Sequence, residues 1–220
     1  MISKWNYLPL TSEEQDLEIE LAKKYAGSPA IAELLVQRGI TSVDDAEHFF
    51  NPSLSDLHDP FLMKDMDKAV DRLNMAMGAK EKILVYGDYD VDGIVSCVMM
   101  AEFFDELGVD YVVKIPNRFK DGYGLNADIV RELDATLIIT VDNGIGAVEA
   151  GELCKQRGVD LIITDHHIPP QTLPQAYAII NPKQKDDEFA DIEICGAQVA
   201  WYLLAALKEE CKLNFDLGKC

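Results

Sequence analysis

The residues of this sequence best suited to chemistry are acids and histidines that directly follow short apolar runs. They form three groups, which are Asp88, Asp90 and Asp92 in GDYDVDG, Asp142 in VDNG, and Asp165, His166 and His167 in TDHH. Carboxylates with one or two imidazoles and no thiolate suit Mn²⁺ or Mg²⁺ better than zinc or copper. Several carboxylates, one of them able to bridge, favour a two-metal centre that holds a phosphoryl group and activates water.

Each group also has an explanation without catalysis. The run D-x-D-x-D-G occurs in calcium loops, but an EF-hand loop needs a glutamate at its twelfth position and a helix on each side. An apolar run of strand type precedes Asp88, so calcium is disfavoured. Asp142 alone could cap the following helix, and His166 and His167 alone could be turn residues. Acids and histidines follow three separate apolar runs, while the interiors of those runs contain no such residues. This joint pattern favours metal binding by the three groups together.

The elements that must position these residues alternate along the chain from residue 82 onward. The runs that we predict as strands are Ile83–Tyr86, Tyr111–Ile115, Leu137–Val141, Asp160–Thr164 and Tyr177–Ile180. Strands that alternate with helices are joined by right-handed crossovers into a largely parallel sheet covered on both faces. The predicted fold class is therefore α/β, with a mostly parallel, doubly wound five-stranded sheet and flanking helices.

Residues 1–80 lack this strand pattern and are predicted to form a small helical N-terminal region. Ser28–Arg38, Thr41–Phe50 and Lys64–Ala79 each place apolar residues at helical spacing. We therefore predict a helical region over 1–80 and an α/β catalytic domain over 81–220.

The carboxyl ends of parallel strands lie at one edge of a sheet, and ligands of open α/β sheets bind beyond that edge. The acids and histidines that follow the first, third and fourth strands are therefore expected around one crevice. Asp142 follows the central strand, so we expect it to bridge the two ions.

Composition limits the classes of function. Acids outnumber bases by 39 to 20, and the net charge of −19 argues against broad electrostatic binding of nucleic acid by this chain alone, while it suits divalent cations. Five cysteines without a C-x-x-C pair support neither a zinc site nor a disulfide framework. No apolar run is long enough to cross a bilayer, and the N-terminus has no signal-peptide core, so we expect a cytoplasmic protein without membrane contact.

GDYDVDG, VDNG and TDHH resemble the first three motifs of the DHH phosphoesterases, a superfamily named after its Asp-His-His run. Within it, the chain resembles the single-strand-specific 5′→3′ DNA exonucleases. The resemblance covers nearly the whole chain, from AELLVQRGI and FFNPSLSDLHDPFLMKDMDKAV through IPNRFKDGYGLN and INPKQ to ICGAQVAW. It implies a phosphodiesterase dependent on Mn²⁺ or Mg²⁺ that degrades single-stranded DNA in repair and recombination.

For the metal centre, the resemblance implies that Asp90 and Asp142 hold one ion. Asp92, Asp142 and His166 would hold the other. Asp88 would lie beside the first ion or orient its water.

For the substrate, the resemblance implies that His167 contacts the scissile phosphate and stabilises charge as it builds. Arg118 in PNRF is placed to meet a phosphate, although exposed arginines are commonly only solvated. Gly196 in CGA would keep the backbone close to the site, and a plain helix start is the alternative.

The sequence departs from the family pattern at two places. Many members carry a histidine where Tyr86 stands, four residues before Asp90. The fourth motif, which supplies a further aspartate ligand, should begin near residues 216–220, and a second catalytic lobe and a nucleic-acid-binding barrel should follow. We therefore expect a fragment that is incomplete at its C-terminus, with weak or no exonuclease activity alone. Single-strand-binding proteins or helicases are the partners implied for the full-length protein.

Other functions remain open at this point. Some DHH enzymes act on pyrophosphate, short oligonucleotides or cyclic dinucleotides, but simpler members begin near the first strand, so residues 1–80 disfavour this. An inactive DHH-like scaffold has no use for a costly acidic cluster, and the intact ligand set disfavours it. A receiver domain of two-component signalling also has an acidic pocket, but it is shorter and does not need His166 and His167.

Overall fold

A computed structural model of the chain describes residues 8–25, 28–189 and 193–219. Its contacts divide the chain into two compact units, Met1–Leu57 and His58–Cys220. Within the described ranges, no helix is long and apolar enough to cross a membrane.

The described residues of the first unit form three α-helices, α1 (Ser12–Lys24), α2 (Pro29–Gln37) and α3 (Val43–Phe50), followed by a 3-10 turn at Leu54–Asp56. The start of α1 is fixed by a capping box, in which Thr11 and Glu14 each accept the backbone N–H of the other. The two helices predicted over Ser28–Arg38 and Thr41–Phe50 are confirmed as α2 and α3. The unit packs around a small apolar core made of Leu21, Ala32, Leu35, Val36 and Ala46.

The first α-helix of the second unit follows a 3-10 turn at Pro60–Leu62 and falls within residues 1–80, which were predicted as the N-terminal region. This helix, α4 (Met66–Ala79), buries an apolar face in the larger core of the unit. Arg72 on α4 is also buried and donates hydrogen bonds to Asp160 at 2.6 Å and to Glu81 at 2.7 Å. Because these contacts join α4 to the sheet, the division by contacts falls after Leu57, whereas the division predicted from the sequence falls after residue 80.

The second unit is built on one parallel sheet of five strands. The strands are β1 (Ile83–Tyr86), β2 (Tyr111–Lys114), β3 (Leu137–Val141), β4 (Asp160–Thr164) and β5 (Ala178–Ile180). Their order is β2-β1-β3-β4-β5, and every neighbouring pair is parallel. The predicted fold class is confirmed, and β1 and β3 are buried along their whole length, as expected for strands covered on both faces.

Helices cover both faces of the sheet and divide the core into two parts. On one face lie α4, α5 (Val91–Leu107) and α8 (Gly196–Glu210), and on the other lie α6 (Ala127–Glu132) and α7 (Val148–Arg157). Successive strand residues alternate between the two parts of the core, as in β1, where Val85 joins the first part and Tyr86 the second.

The strand order places a crevice between β1 and β3. The chain moves from β1 to β2 in one direction and then crosses back to β3, so the helices after β1 and β3 lie on opposite faces. In doubly wound sheets, this reversal opens the crevice in which ligands bind, at the carboxyl ends of the strands. The residues that follow β1 and β3 are the acids singled out in the sequence.

Candidate metal centre

The structure brings the acids and histidines of all three motifs together at the carboxyl edge of the sheet. Ligand oxygens of Asp88, Asp90 and Asp142 lie within 4.8 Å of one another. Ligand atoms of Asp142, His166 and His167 satisfy the same limit. Asp142 belongs to both groups, which is the position expected of a bridging ligand.

Asp142 is held in a state that is costly for an isolated carboxylate. It directly follows β3 with a left-handed backbone (φ 62°), and its side chain is 1% exposed. Neither carboxylate oxygen has a hydrogen-bond partner among the described residues. Burial, reinforced by the neighbouring Asp90 and Asp92, raises its pKa to about 8. A buried carboxylate without donors fits a site that receives a cation.

The orientation of His166 gives independent support for a cation beside Asp142. Its Nδ1 lies 3.1 Å from the backbone oxygen of Ile194, and because a carbonyl only accepts, Nδ1 carries the proton. In the neutral ring, Nε2 then presents a lone pair, and it lies 3.3 Å from Oδ1 of Asp142. Two acceptors that face each other at this distance need a proton or a cation between them, and Asp142 with its raised pKa can carry that proton when no metal is bound. A carboxylate and an imidazole nitrogen also form a donor set that fits a divalent ion.

The remaining acids of the first motif differ in their surroundings. Asp88 is 1% exposed, and burial raises its pKa, while its carboxylate accepts the N–H of Tyr89 at 2.7 Å. Asp90 is exposed and caps α5 by accepting the N–H of Gly93 at 3.1 Å. Asp92 lies in neither ligand group, and its Oδ2 accepts the N–H of Gly196 at 3.2 Å. The metal role of Asp92 therefore stays a prediction.

Gly196 lies against Asp142 at the first residue of α8. A Cβ added at this position would lie 1.9 Å from Oδ1 of Asp142, far inside any real contact distance. Any larger residue would therefore displace either the helix start or the carboxylate. The close approach supports the sequence-based expectation that glycine keeps the backbone next to the site.

Asp165 organises the third motif, a role that the sequence analysis did not assign to it. It is 1% exposed and accepts the backbone N–H groups of Ile145, His166 and His167 at 2.9, 2.7 and 3.1 Å. The same carboxylate lies 2.7 Å from Nδ1 of His167. Burial opposes ionisation, but these hydrogen bonds, led by the one from His167, hold the pKa of Asp165 below its ordinary value. Its position directly after β4 was the signal available in the sequence.

His167 is oriented at both ring nitrogens. The hydrogen bond with Asp165 at Nδ1 raises the pKa of His167, and partial burial opposes this. Its Nε2 lies 3.5 Å from the hydroxyl of Tyr123. The ring thus stands at the edge of the metal cluster with a fixed direction.

Arg118 stacks at the outer end of a row of aromatic rings that leads to the cluster. Its guanidinium stands over the ring of Tyr89 at 5.4 Å from the centroid. Tyr89 contacts Tyr123 at 6.3 Å between ring centroids, and Tyr123 contacts His167 at 6.2 Å. Tyr89 lies inside GDYDVDG and could have been noticed there, whereas no spacing in the sequence marks Tyr123.

Two further buried residues join β1 to its surroundings at this edge. Asn143 donates from its amide to the backbone oxygens of Tyr86 and Val141 at 3.2 and 2.9 Å, which ties the ends of β1 and β3 together. Tyr86, one of the two departures noted in the sequence, is fully buried, and its hydroxyl donates to the backbone oxygen of Gly124 at 3.2 Å. Tyr86 therefore supports the loop after β2.

The fold and the cluster define an α/β protein with a carboxylate and imidazole centre at its topological switch point. The sequence profile of the DHH family, N-terminal domain, matches residues 82–218, more than half of the chain, and the chain belongs to this family.

Comparison with curated proteins points to one kind of relative. The chain is 40% identical over 200 residues to the single-stranded-DNA-specific exonuclease RecJ of Bacillus subtilis (strain 168), covering 90% of this chain and 25% of that protein. It is 37% identical over 203 residues to the protein of the same name from Escherichia coli (strain K12), covering 89% of this chain and 33% of that protein. The chain thus spans about a quarter to a third of the length of these relatives.

Solved structures agree with this similarity. RecJ from Thermus thermophilus in complex with Mn²⁺ superposes with a TM-score of 0.69 at 27% identity, over 91% of this chain and 28% of that one. An exonuclease RecJ bound to manganese gives a TM-score of 0.64 at 33% identity, over 69% of this chain and 39% of that one.

Proposed function

We propose that this chain is the metal-binding domain of a phosphodiesterase that degrades single-stranded DNA from the 5′ end, in DNA repair and recombination. The observation that carries the proposal is the buried Asp142 carboxylate, which lacks hydrogen-bond donors among the described residues and belongs to both ligand groups. The similarity to single-stranded-DNA-specific exonucleases supports the substrate. The 5′→3′ direction rests on that resemblance alone.

The proposed ligands form two sets that share Asp142. Asp88 or Asp90 would hold one ion with it, and His166 and Asp92 would hold the other. Carboxylates and imidazole without thiolate favour Mn²⁺ or Mg²⁺. The Mn²⁺ in the superposable relatives supports the same choice.

Two ions bound here would supply Lewis acidity, which acidifies a water molecule and stabilises the leaving oxygen. The chain's own residues would place the phosphate. His167, fixed by Asp165, would donate a hydrogen bond to a phosphate oxygen as negative charge develops. Arg118 is exposed beside the cluster and would contact a neighbouring phosphate.

The negative net charge of the chain limits how it could hold a DNA strand. With a net charge of −19, the chain would bind DNA through a few local contacts and bound cations rather than through a broad basic face. Single-strand-binding proteins or helicases are the proposed protein partners of the full-length protein. The proposed DNA substrate is the reason to expect a cytoplasmic location.

A single-turnover digestion tests the proposal. The protein is held in large excess over a single strand labelled at either end, in Mn²⁺, so that even one slow cut per strand is registered. In keeping with the weak activity expected of this chain alone, we expect at most slow release of nucleotides from the 5′ end, no cleavage of blunt duplex, and no product with Asp142→Asn. Products from the strand interior, or equal cleavage by Asp142→Asn, would contradict the exonuclease mechanism. If the strand remains uncut, the proposal that this chain cleaves DNA by itself is wrong, and only metal binding and strand binding remain proposed for it.

The small-substrate alternative is separated in the same experiment. A dinucleotide is offered beside the long strand at equal concentration of phosphodiester bonds. Preference for the long strand is expected of the exonuclease, whereas exclusive cleavage of the dinucleotide would favour a phosphodiesterase of small nucleotides.

A further inference from the structure

The loop after β2 exposes an aromatic side chain to an unusual degree. Phe119 is 95% exposed, the highest value for any large hydrophobic residue in the described ranges. Aromatic side chains normally bury most of their surface, and their exposure leaves a substantial hydrophobic free energy unused. An aromatic ring held in solvent beside a candidate active site therefore suggests contact with a ligand.

The exposure of Phe119 is imposed by an ordered turn. The side-chain oxygen of Asn117 accepts the N–H groups of Phe119 and Lys120 at 3.0 and 3.3 Å. The carboxylate of Asp121 in turn accepts the N–H of Asn117 at 2.8 Å. These hydrogen bonds hold the backbone on both sides of Phe119, so a ligand that contacts the ring costs little further backbone entropy.

The sequence around Phe119 is more basic than the chain as a whole, since three bases stand against the single acid Asp121 in KIPNRFKD. Lys114, Arg118 and Lys120 give the segment KIPNRFK three bases and no acid, in a chain with 39 acids and 20 bases. A basic segment that contains an exposed aromatic ring matches a single nucleic acid strand, whose phosphates need cations and whose bases need stacking partners. An apolar protein partner would not require the flanking bases.

The loop begins at the same edge as the metal centre. The backbone oxygen of Lys114, the last residue of β2, accepts the N–H of Gly87 at 3.0 Å, and Gly87 directly precedes Asp88. Arg118, the neighbour of Phe119, stands over Tyr89 in the first metal motif. A strand that enters the centre would therefore pass close to Phe119.

We propose that Phe119 stacks on a base of the single-stranded DNA whose phosphate lies at the metal centre, and that Lys120 contacts the adjoining phosphate. This inference rests on the proposed function and adds how the strand is gripped beside the cutting site. Stacking on Phe119 accepts any base, because every base has a π-face, so it holds the strand without reading its sequence. Duplex DNA, whose bases are already stacked, cannot use the ring in this way.

Fluorescence anisotropy with two strands tests the proposal. Affinity is measured in Mn²⁺ at low salt for a labelled, nuclease-resistant phosphorothioate oligothymidine and for an abasic strand of equal length. We expect Phe119→Leu to weaken binding of oligothymidine by roughly 5- to 150-fold and to leave binding of the abasic strand within about twofold. Phe119→Trp should retain or improve the affinity for oligothymidine. Phe49→Leu, at an aromatic residue of the first unit that is 55% exposed, is the matched control and should bind like wild type.

Three results would overturn the stacking proposal. These are wild-type affinity of Phe119→Leu for oligothymidine, an equal loss for the abasic strand, and failure of the wild-type chain to bind either strand. Calorimetric titration of the wild type with Mn²⁺ distinguishes a failure of the stacking proposal from a failure of the proposed metal-dependent function. Mn²⁺ binding without a Phe119 effect removes only the stacking contact, whereas a Phe119 effect without Mn²⁺ binding removes the metal mechanism and leaves the strand contact.

Discussion

At the scale of single residues, Asp142 combines two unfavourable features. A left-handed backbone at a residue other than glycine costs free energy, and so does a buried carboxylate without donors. Such features persist where the surrounding structure enforces them, and they are concentrated at functional sites. Burial and nearby Asp90 and Asp92 raise its pKa to about 8, so a carboxylate here needs a cation to remain ionised at neutral pH.

This predicts a specific pH dependence of stability in the absence of divalent ions. The pKa of Asp142 is about 8 in the fold and near its ordinary value of 3.8 when unfolded, so the folded state binds the proton more tightly. The free energy of unfolding should therefore fall as pH rises from about 4 to about 8, by several kcal/mol from this group. Asp142→Asn should remove this part of the slope, because asparagine is neutral and tolerates the left-handed backbone.

Urea denaturation in EDTA at pH 5 and pH 8 measures this effect. The difference between wild type and Asp142→Asn isolates the group from the other titrating residues. Identical slopes for the two proteins would show that Asp142 is not held protonated in the metal-free fold.

The sequence was enough to propose the ligand residues and to place them at one edge of the sheet, but it did not reveal the side chains that hold them in position. Asp90, Asp142 and His166 each follow an apolar run, and strand ends of a parallel sheet converge by construction. The bonds of Asp165 to His167 and the contact of Tyr123 with His167 depend on loop conformations that periodicity does not encode.

At the scale of elements, the start of α8 completes the site. Gly196 brings the first turn of the helix against Asp142, and its N–H reaches Asp92. The helix thus positions two proposed ligands through one glycine.

We predict that Gly196→Ala lowers the affinity for Mn²⁺ by at least about tenfold, since its Cβ would overlap Oδ1 of Asp142 and displace a proposed bridging ligand. Gly78→Ala is the matched control, because this helical glycine in α4 has no atom within 4 Å of an added Cβ. The control should bind Mn²⁺ like wild type and gain about 0.5–1 kcal/mol of stability from helix propensity. Calorimetry and urea denaturation give both quantities, and wild-type Mn²⁺ binding by Gly196→Ala would contradict the proposed packing role.

The sequence predicted the elements themselves better than their arrangement. Apolar runs and helical periodicity gave all five strands and the parallel class, because crossover rules leave few other solutions. The order β2-β1-β3-β4-β5 is set by packing of helices on the two faces, which spacing along the chain does not reveal. The same reason explains why α4 was placed in the N-terminal region. Its apolar face is visible in the sequence, but the sheet core against which that face packs is not.

At the scale of the whole molecule, the most distinctive property is the large excess of acidic over basic residues. A net charge of −19 on 220 residues implies considerable self-repulsion in the folded state. Three of the chain's 20 basic residues lie in the segment KIPNRFK beside the metal centre.

We therefore predict that monovalent salt stabilises the metal-free protein. Between about 0.01 M and about 0.15 M NaCl the screening length falls from roughly 30 Å to roughly 8 Å. The free energy of unfolding should rise by about 1 kcal/mol, because repulsion among the excess acids is reduced. Thermal or urea denaturation in EDTA at the two salt concentrations measures the change, and a decrease with salt would show that attractive ion pairs outweigh the repulsion.

The central claim is that Asp142 joins the acids after β1 and the histidine after β4 into one divalent-cation centre. Calorimetric titration with Mn²⁺ of wild type and Asp142→Asn tests it most directly. Asp186→Asn is the matched control, because Asp186 is an exposed aspartate with a similar left-handed backbone (φ 66°). We predict binding by wild type and Asp186→Asn and its near-complete loss in Asp142→Asn. Unchanged affinity in Asp142→Asn would contradict the account.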